Sequence, residues 1–184
     1  RFVLYGVPWE TYVAMREALD SPGLRMTYCE GTLELMSPST EHEMAKKLLA
    51  RLIELYALER DVPLWGYGST TFRKEIKARG LEPDECYCLG ELDQVPDIAI
   101  EVVITSGGIA KLPVYEGLGV REVWFWEHEA FHLHALREGG YERIASSEIV
   151  PDLDFEVLAK FVRLRDQHEG VKAFRDWLRS APGG

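Results

Sequence analysis

Residues 97–127 read DIAIEVVITSGGIAKLPVYEGLGVREVWFWE. Ile98, Ile100, Val102 and Ile104 alternate onto one face, the two-residue period of a strand. Gly107-Gly108 ends that run. A short helix is expected from about Ile109 to Leu118. Pro113 falls within or just after its first turn, where a missing N–H costs least, and Gly119 suits its stop. Arg121 to Glu127 then reads as a second strand. Its Val123, Trp124, Phe125 and Trp126 are nearly all apolar, as in a strand buried on both faces. The strand-to-strand length fits a β-α-β crossover between parallel strands.

Upstream, Asp84 to Leu89 and the run from Leu64 to Lys74 also read as strands, the latter rich in Thr, Tyr, Phe and Trp. Before them lies the best-signalled helix. Thr40 and Glu43 match a capping box, and Met44, Ala45, Leu48, Leu49, Leu52, Leu55 and Tyr56 follow at helical spacing. Turning 100° per residue centres the apolar stripe on Ala45, Leu48 and Leu52. Glu41 then points inward, His42 sits on the flank and Glu43 points away, with Lys46, Lys47 and Arg51 on the outer side. The order is helix, three strands, helix, strand. A helix is expected from Pro8 to Leu19, and a hairpin from Tyr28 to Met36 turning at Glu30-Gly31. A second hairpin is expected over Phe131–Leu136 and Tyr141–Ile144, then amphipathic helices from about Leu158 to Leu178 and a fraying tail, Ala181 to Gly184.

The chain of 184 residues suits one domain, 1–184, with a core at about 38–128 and a C-terminal hairpin and helices at about 129–180. No run is long and apolar enough to span a membrane, and the first residues lack the apolar core of a signal peptide. Cys29, Cys86 and Cys88 make a poor disulfide framework and point to reduced thiols in the cytoplasm. The net charge of −10 counts against broad electrostatic binding of nucleic acid, though not against a local basic path.

Four carboxylates lie near the strand at 97–104: Asp84, Glu91, Asp97 and Glu101. Asp97 and Glu101 share a face but stand roughly 13 Å apart along the backbone, too far for one ion. Asp84, on the preceding strand, can lie opposite or diagonal to Glu101 if the strands are antiparallel neighbours, with Cβ atoms about 5–8 Å apart. Glu101 also interrupts an apolar run, where a carboxylate costs several kcal/mol (about that order) unless paired or metal-bound. A metal or a cationic partner is therefore expected. The alternative is that these acids mark an exposed face.

Pro83-Asp84, then Glu101 in an apolar strand, then the β-α-β step resemble the PD-(D/E)XK nuclease superfamily, and in particular its Uma-two-type restriction endonuclease domains. The matching stretches include Glu30 to Pro38, Glu41-His42, Glu82 to Cys86, Pro96 to Val102, Thr105 to Gly108 with Lys111-Leu112, and Gly119 to Trp124. The resemblance implies an α/β (α+β) restriction-endonuclease-like core, with a mixed central sheet flanked by helices. It also implies a Mg²⁺-dependent phosphodiesterase, with Mn²⁺ as a substitute, in which Asp84 and Glu101 hold the metal and the Val102 carbonyl is a further ligand. The superfamily motif has lysine where this chain has Val103, and Lys111 is the natural replacement. A glutamate of the first core helix often joins such sites; Glu41 is the choice here, with His42 as a phosphate contact. Arg73, Lys74, Lys77 and Arg79, in the segment before Asp84, form the local basic run that could track a phosphate backbone; the other reading is a solvated charged loop that also holds Glu75. The implied partner is nucleic acid, DNA first, engaged by a homodimer. Two other readings are a catalytically silent binding or assembly module and a hydrolase of a small phosphoester. His132 and His134 alternate on one strand face without an evident third ligand and read as surface residues.

Overall fold

The computed structural model describes the chain except residues 20, 22, 75–77, 92–93, 105–107, 165 and 181–184, and except the side chain of residue 74. Lys77, the Thr105-Ser106-Gly107 stretch and the C-terminal tail therefore lie outside the described residues, as does the Lys74 side chain. The fold is α+β and contains two sheets. In chain order the elements are β1 (Phe2–Leu4), α1 (Trp9–Ala18), β2 (Arg25–Cys29), β3 (Thr32–Met36), α2 (Thr40–Glu59), β4 (Leu64–Gly66), β5 (Phe72–Lys74) and β6 (Arg79–Leu81). They continue with β7 (Glu85–Leu89), β8 (Ile98–Val103), α3 (Lys111–Leu118), β9 (Glu122–Glu127), β10 (Ala130–Arg137), β11 (Gly140–Ile144), α4 (Phe155–Val162) and α5 (Gln167–Ser180).

The central sheet has the order β11-β10-β9-β8-β7-β4. Its β8–β9 pair is parallel, joined through α3 as the sequence pattern predicts. The smaller sheet has the order β1-β3-β2-β6-β5. The expected strand from Leu64 to Lys74 is in fact two: β4 closes the edge of the central sheet and β5 the edge of the smaller one. Their shared β-propensity carries no information on which sheet each joins. The hairpin turns at Glu30-Gly31 as expected, both residues at positive φ, the geometry of a two-residue hairpin loop.

Alternation in β8 sorts the core. Ile98, Ile100 and Val102 pack on the α2, α4 and α5 side with Leu49, Leu52, Trp124, Leu158 and Phe174. Ala99 packs on the other side with Val114, Tyr115 and Leu118 of α3. Leu81 and Phe72 of the smaller sheet join that second cluster, so α3 lies between the two sheets. On the far face of the smaller sheet, Tyr12 of α1 packs with Met26, Tyr28 and Leu33. Trp124 and Trp126 thus belong to the core, leaving Phe125 half-buried on the α3 side.

The Tyr12 ring stacks on Tyr28 with centroids 4.8 Å apart, directly over Gly80. A Cβ at Gly80 would sit 2.3 Å from the Tyr12 hydroxyl and 2.9 Å from its ring carbons. The whole ring must then move out of its aromatic stack. Gly80→Ala is expected to destabilise the fold by about 1–3 kcal/mol, read as a lower urea midpoint with an unchanged m-value; an unchanged midpoint contradicts this packing.

Candidate active site

Asp84 sits where the chain crosses from β6 to β7. The β7–β8 register pairs Glu85 with Ile100 and Cys86 with Ala99, so its continuation sets Asp84 opposite Glu101. The Asp84 N–H donates to the Ile100 carbonyl at 3.1 Å, fixing that alignment. The Asp84 carboxylate is buried. Its Oδ2 accepts the Val102 N–H at 2.8 Å and meets His42 Nε2 at 3.0 Å. Burial alone pushes the Asp84 pKa up, but the His42 hydrogen bond, the Lys111 charge and the Val102 N–H outweigh it and hold the carboxyl below the usual aspartate range.

Glu101 has no solvent exposure. Lys111, the first residue of α3, brings its ammonium onto Glu101 Oε2, and the Tyr115 hydroxyl donates to Oε1. Lys111 and Tyr115 are four residues apart on one helix face, so a single helix supplies both donors. Desolvation dominates the Glu101 carboxyl and is only partly offset by Lys111. With Asp84 adding repulsion, its pKa rises to about 7. Burial would lower the Lys111 pKa, but Glu101, Asp84 and Glu34 together raise it, so the side chain stays cationic. Tyr115 is pushed up by burial and by Glu101 and stays protonated, as a donor must.

A further carboxylate, Glu34, enters from the smaller sheet. Leu33 and Leu35 face α1, so Glu34 between them faces the other way. It is buried, accepts the Ile109 N–H at 2.6 Å and pairs with Arg1 at 3.3 Å. The Gly108 backbone lies so close that a Cβ there would fall 2.0 Å from Glu34 Oε2, and φ is +98°. Glu34 thereby fastens the loop that leads into Lys111. A cavity of about 510 Å³ lies beside the carboxylate pair, lined by Glu34, His42, Val102, Lys111, Phe125 and Glu127 among others, with Asp84 and Glu101 buried behind that lining.

Several expectations need correction. Glu41 is exposed and does not face the pair; His42 is buried in its place. The buried column of α2 runs His42, Lys46, Leu49, Ile53, Tyr56. The apolar stripe misled because a second partner, α5, covers the helix flank: Gln167 reaches both Arg51 and the Met44 carbonyl, and Arg179 pairs with Glu59. Lys46 is accordingly buried, not outward, and pairs with Glu43 at 3.3 Å. The helix cap is Ser39, whose hydroxyl accepts the His42 N–H, one residue before the expected Thr40. Arg73 lies with β5 on the smaller sheet, 3.9 Å from Glu17, beside Trp9 and Val13 and not at the carboxylate cavity. Lys74 belongs to the same strand.

The structure brings Asp84, Glu101, Lys111, Val102 and His42 together. Sequence reasoning missed Tyr115 and Glu34. The four-residue spacing from Lys111 signals Tyr115 once Lys111 is chosen. Nothing local signals Glu34, because its inward face exists only when the sheets pack. Asp97 salt-bridges Arg121 at 3.0 Å and accepts the Leu89 N–H, a structural strand-entry role. Among the described residues no three His, Cys, Asp or Glu side chains form a metal cage. Two hard carboxylates are nonetheless a donor set that Mg²⁺ takes, with water and substrate phosphate completing the shell. Asp84 and Glu101 already share one cationic neighbour, the Lys111 ammonium.

A family model described as "Uma2: Putative restriction endonuclease" matches residues 9–165. No curated protein matches the chain. Among solved structures, one described as "a putative nuclease belonging to DUF820" from Anabaena variabilis ATCC 29413 is similar in fold. It has a TM-score of 0.50 and 11% identity, over 83% of this chain and 90% of that one. No helix among the described residues is long and apolar enough to cross a membrane.

The raised Glu101 pKa has a stability consequence. Between the ordinary value of 4.5 and about 7 the folded chain holds a proton that the unfolded chain has lost. Stability of the metal-free protein therefore falls as pH rises through that window, and the loss is complete above it. Glu101→Gln, which keeps an acceptor and the shape, should remove this component, on the order of 3 kcal/mol. Urea unfolding at pH 5 and pH 8 in chelator reads it; equal pH slopes for both proteins would overturn the assignment.

Proposed function

We propose that this chain, which belongs to the Uma2 "putative restriction endonuclease" family, is a divalent-metal-dependent nuclease that hydrolyses phosphodiester bonds, of DNA first, at Asp84, Glu101 and Lys111. The observation that carries this reading is the buried carboxylate pair with an ammonium group beside it, behind a cavity lined by their neighbours Lys111, His42 and Val102. A purely structural acid pair has no need of such cost inside a strand. Asp84 and Glu101 are the residues that would hold Mg²⁺ or Mn²⁺, with the Val102 carbonyl as a further oxygen. When bound, such an ion polarises the phosphate and lowers the pKa of a coordinated water.

The chain's own groups then have separable tasks. His42 and the Val102 N–H keep Asp84 ionised and oriented. Tyr115 fixes the Glu101 carboxylate from behind. Lys111 orients the attacking water or neutralises charge as it develops on the phosphate oxygens. Water oxygen bonds to phosphorus as the ester P–O bond breaks, and the water's proton ends on solvent or the departing oxygen, with no covalent enzyme intermediate.

One observation favours the silent-module reading instead: both Glu101 oxygens are already engaged, by Lys111 and Tyr115. The two readings separate in one assay with single- and double-stranded DNA and RNA, plus Mg²⁺ or Mn²⁺. Wild type is expected to cleave. The double variant Asp84→Ala, Glu101→Ala should fall to background, and Lys111→Ala by about 10²-fold. Cleavage by the double variant at the wild-type rate refutes the site, and binding without cleavage by wild type selects the silent module.

A further inference from the structure

The central sheet carries a second polar group on the same face as Glu101. Register pairs Glu101 with Phe125 on β9, and Phe125 with His132 on β10. One row further along, Ala99 pairs with Val123, Val123 with His134, and His134 with Arg143 on β11. Laterally paired residues share a face, so His132, His134 and Arg143 look out beside Glu101. Two strand spacings of about 4.8 Å put His132 about 10 Å from Glu101.

A cavity of about 390 Å³ opens there, lined by Phe125, Glu127, His132, His134 and Arg143. It shares Phe125 and Glu127 with the cavity lined by Lys111 and His42, so the two adjoin. Arg143 Nη2 lies 2.9 Å from His132 Nδ1. A guanidinium only donates, so Nδ1 is the acceptor and the His132 proton is on Nε2, left over as a donor. Arg16, Arg25, Arg121, Arg137 and Arg179 each meet a carboxylate. Arg143 meets a neutral imidazole, and among the described residues it has no carboxylate partner. His134, edge-on to Phe125, has a buried Nδ1 with no hydrogen-bond partner among the described residues.

We infer that Arg143, with His132 beside it, binds a backbone phosphate of the nucleic-acid strand, to one side of the phosphate being cleaved. This rests on the nuclease reading of the Asp84–Glu101 site. Arg143 supplies the charge and the His132 Nε2–H a directed donor, with Phe125 forming the floor between the two phosphate positions. The opposing group is Glu127, whose carboxylate lines both cavities.

The test is fluorescence anisotropy of a labelled oligonucleotide on the full chain, in chelator and at several salt concentrations. Arg143→Ala with His132→Ala should weaken binding about tenfold and reduce the salt slope by about 1. Glu127→Gln should tighten binding. In cleavage assays the double variant should raise KM with kcat close to wild type. Arg143→Glu, with its melting curve checked, separates lost contact from lost fold. Unchanged affinity and salt slope in a wild-type-like fold overturn this subsite while leaving the nuclease reading intact. Wild type that neither binds nor cuts any nucleic acid overturns both. Inorganic phosphate, followed through the histidine NMR signals, tests the other source of the same chemistry. Its binding at this site, combined with an unaltered oligonucleotide affinity in the double variant, would also defeat the strand assignment.

Discussion

A carboxylate with no solvent exposure, in the middle of a central strand, is the constraint around which this molecule is arranged. Glu101 replaces what would be an apolar residue facing α3. Left alone it would neutralise or unfold its surroundings. The fold answers with two donors from one helix, Lys111 at its first turn and Tyr115 one turn later. Those donors require α3 to begin where it does, which requires the preceding loop to be tied down. Glu34 does this through the Ile109 N–H, with Gly108 pressed against it. Even the distant sheet is thus answerable to Glu101. The result differs from an ordinary buried ion pair because a second acid, Asp84, feels the charge of the same ammonium. Opposed environments split the two carboxyls, one held low and the other raised.

Much of this was legible in the chain, for reasons that can be stated residue by residue. The alternation of Ile98, Ile100 and Val102, the glycines after it and the apolar run at 123–126 are local signals, and the β-α-β step they imply is present. Strand period alone chose Asp84 over Asp97 as the partner of Glu101, and the register agrees. The misses share one cause: they depend on which surface covers which element. The α2 stripe was averaged over two partners, so its centre fell on Glu41's side when the site lies on His42's. The run from Leu64 to Lys74 divides between two sheets for the same reason, and it carries Arg73 away from the cavity. Glu34 is an unremarkable strand acid until a helix is placed against it.

The charge balance also becomes intelligible at the level of surfaces. A chain of net charge −10 cannot attract a polyanion from all sides. Its arginines are largely consumed by neighbouring acids, as at Arg137 with Glu148 and Arg179 with Glu59. Among the described residues Arg51, Arg60, Arg143 and Arg163 have no carboxylate partner, and of these Arg143 alone is on the sheet face beside Glu101.

The clamping of α3 between two sheets has a consequence for how the molecule comes into being. Glu34, His42, Asp84, Glu101 and Lys111 arrive from five separate elements or their junctions, spread over 78 residues of chain. The central sheet with α2, α4 and α5 has a core of its own, whereas the smaller sheet reaches that body chiefly through α3. Contacts of such long sequence separation form late in folding, after the local hairpins and helices. The full set of five is therefore complete only once the smaller sheet has docked. Opening of the smaller sheet alone takes Glu34 off the Ile109 N–H and releases the loop before Lys111, while Asp84, Glu101 and His42 stay with the central sheet and α2.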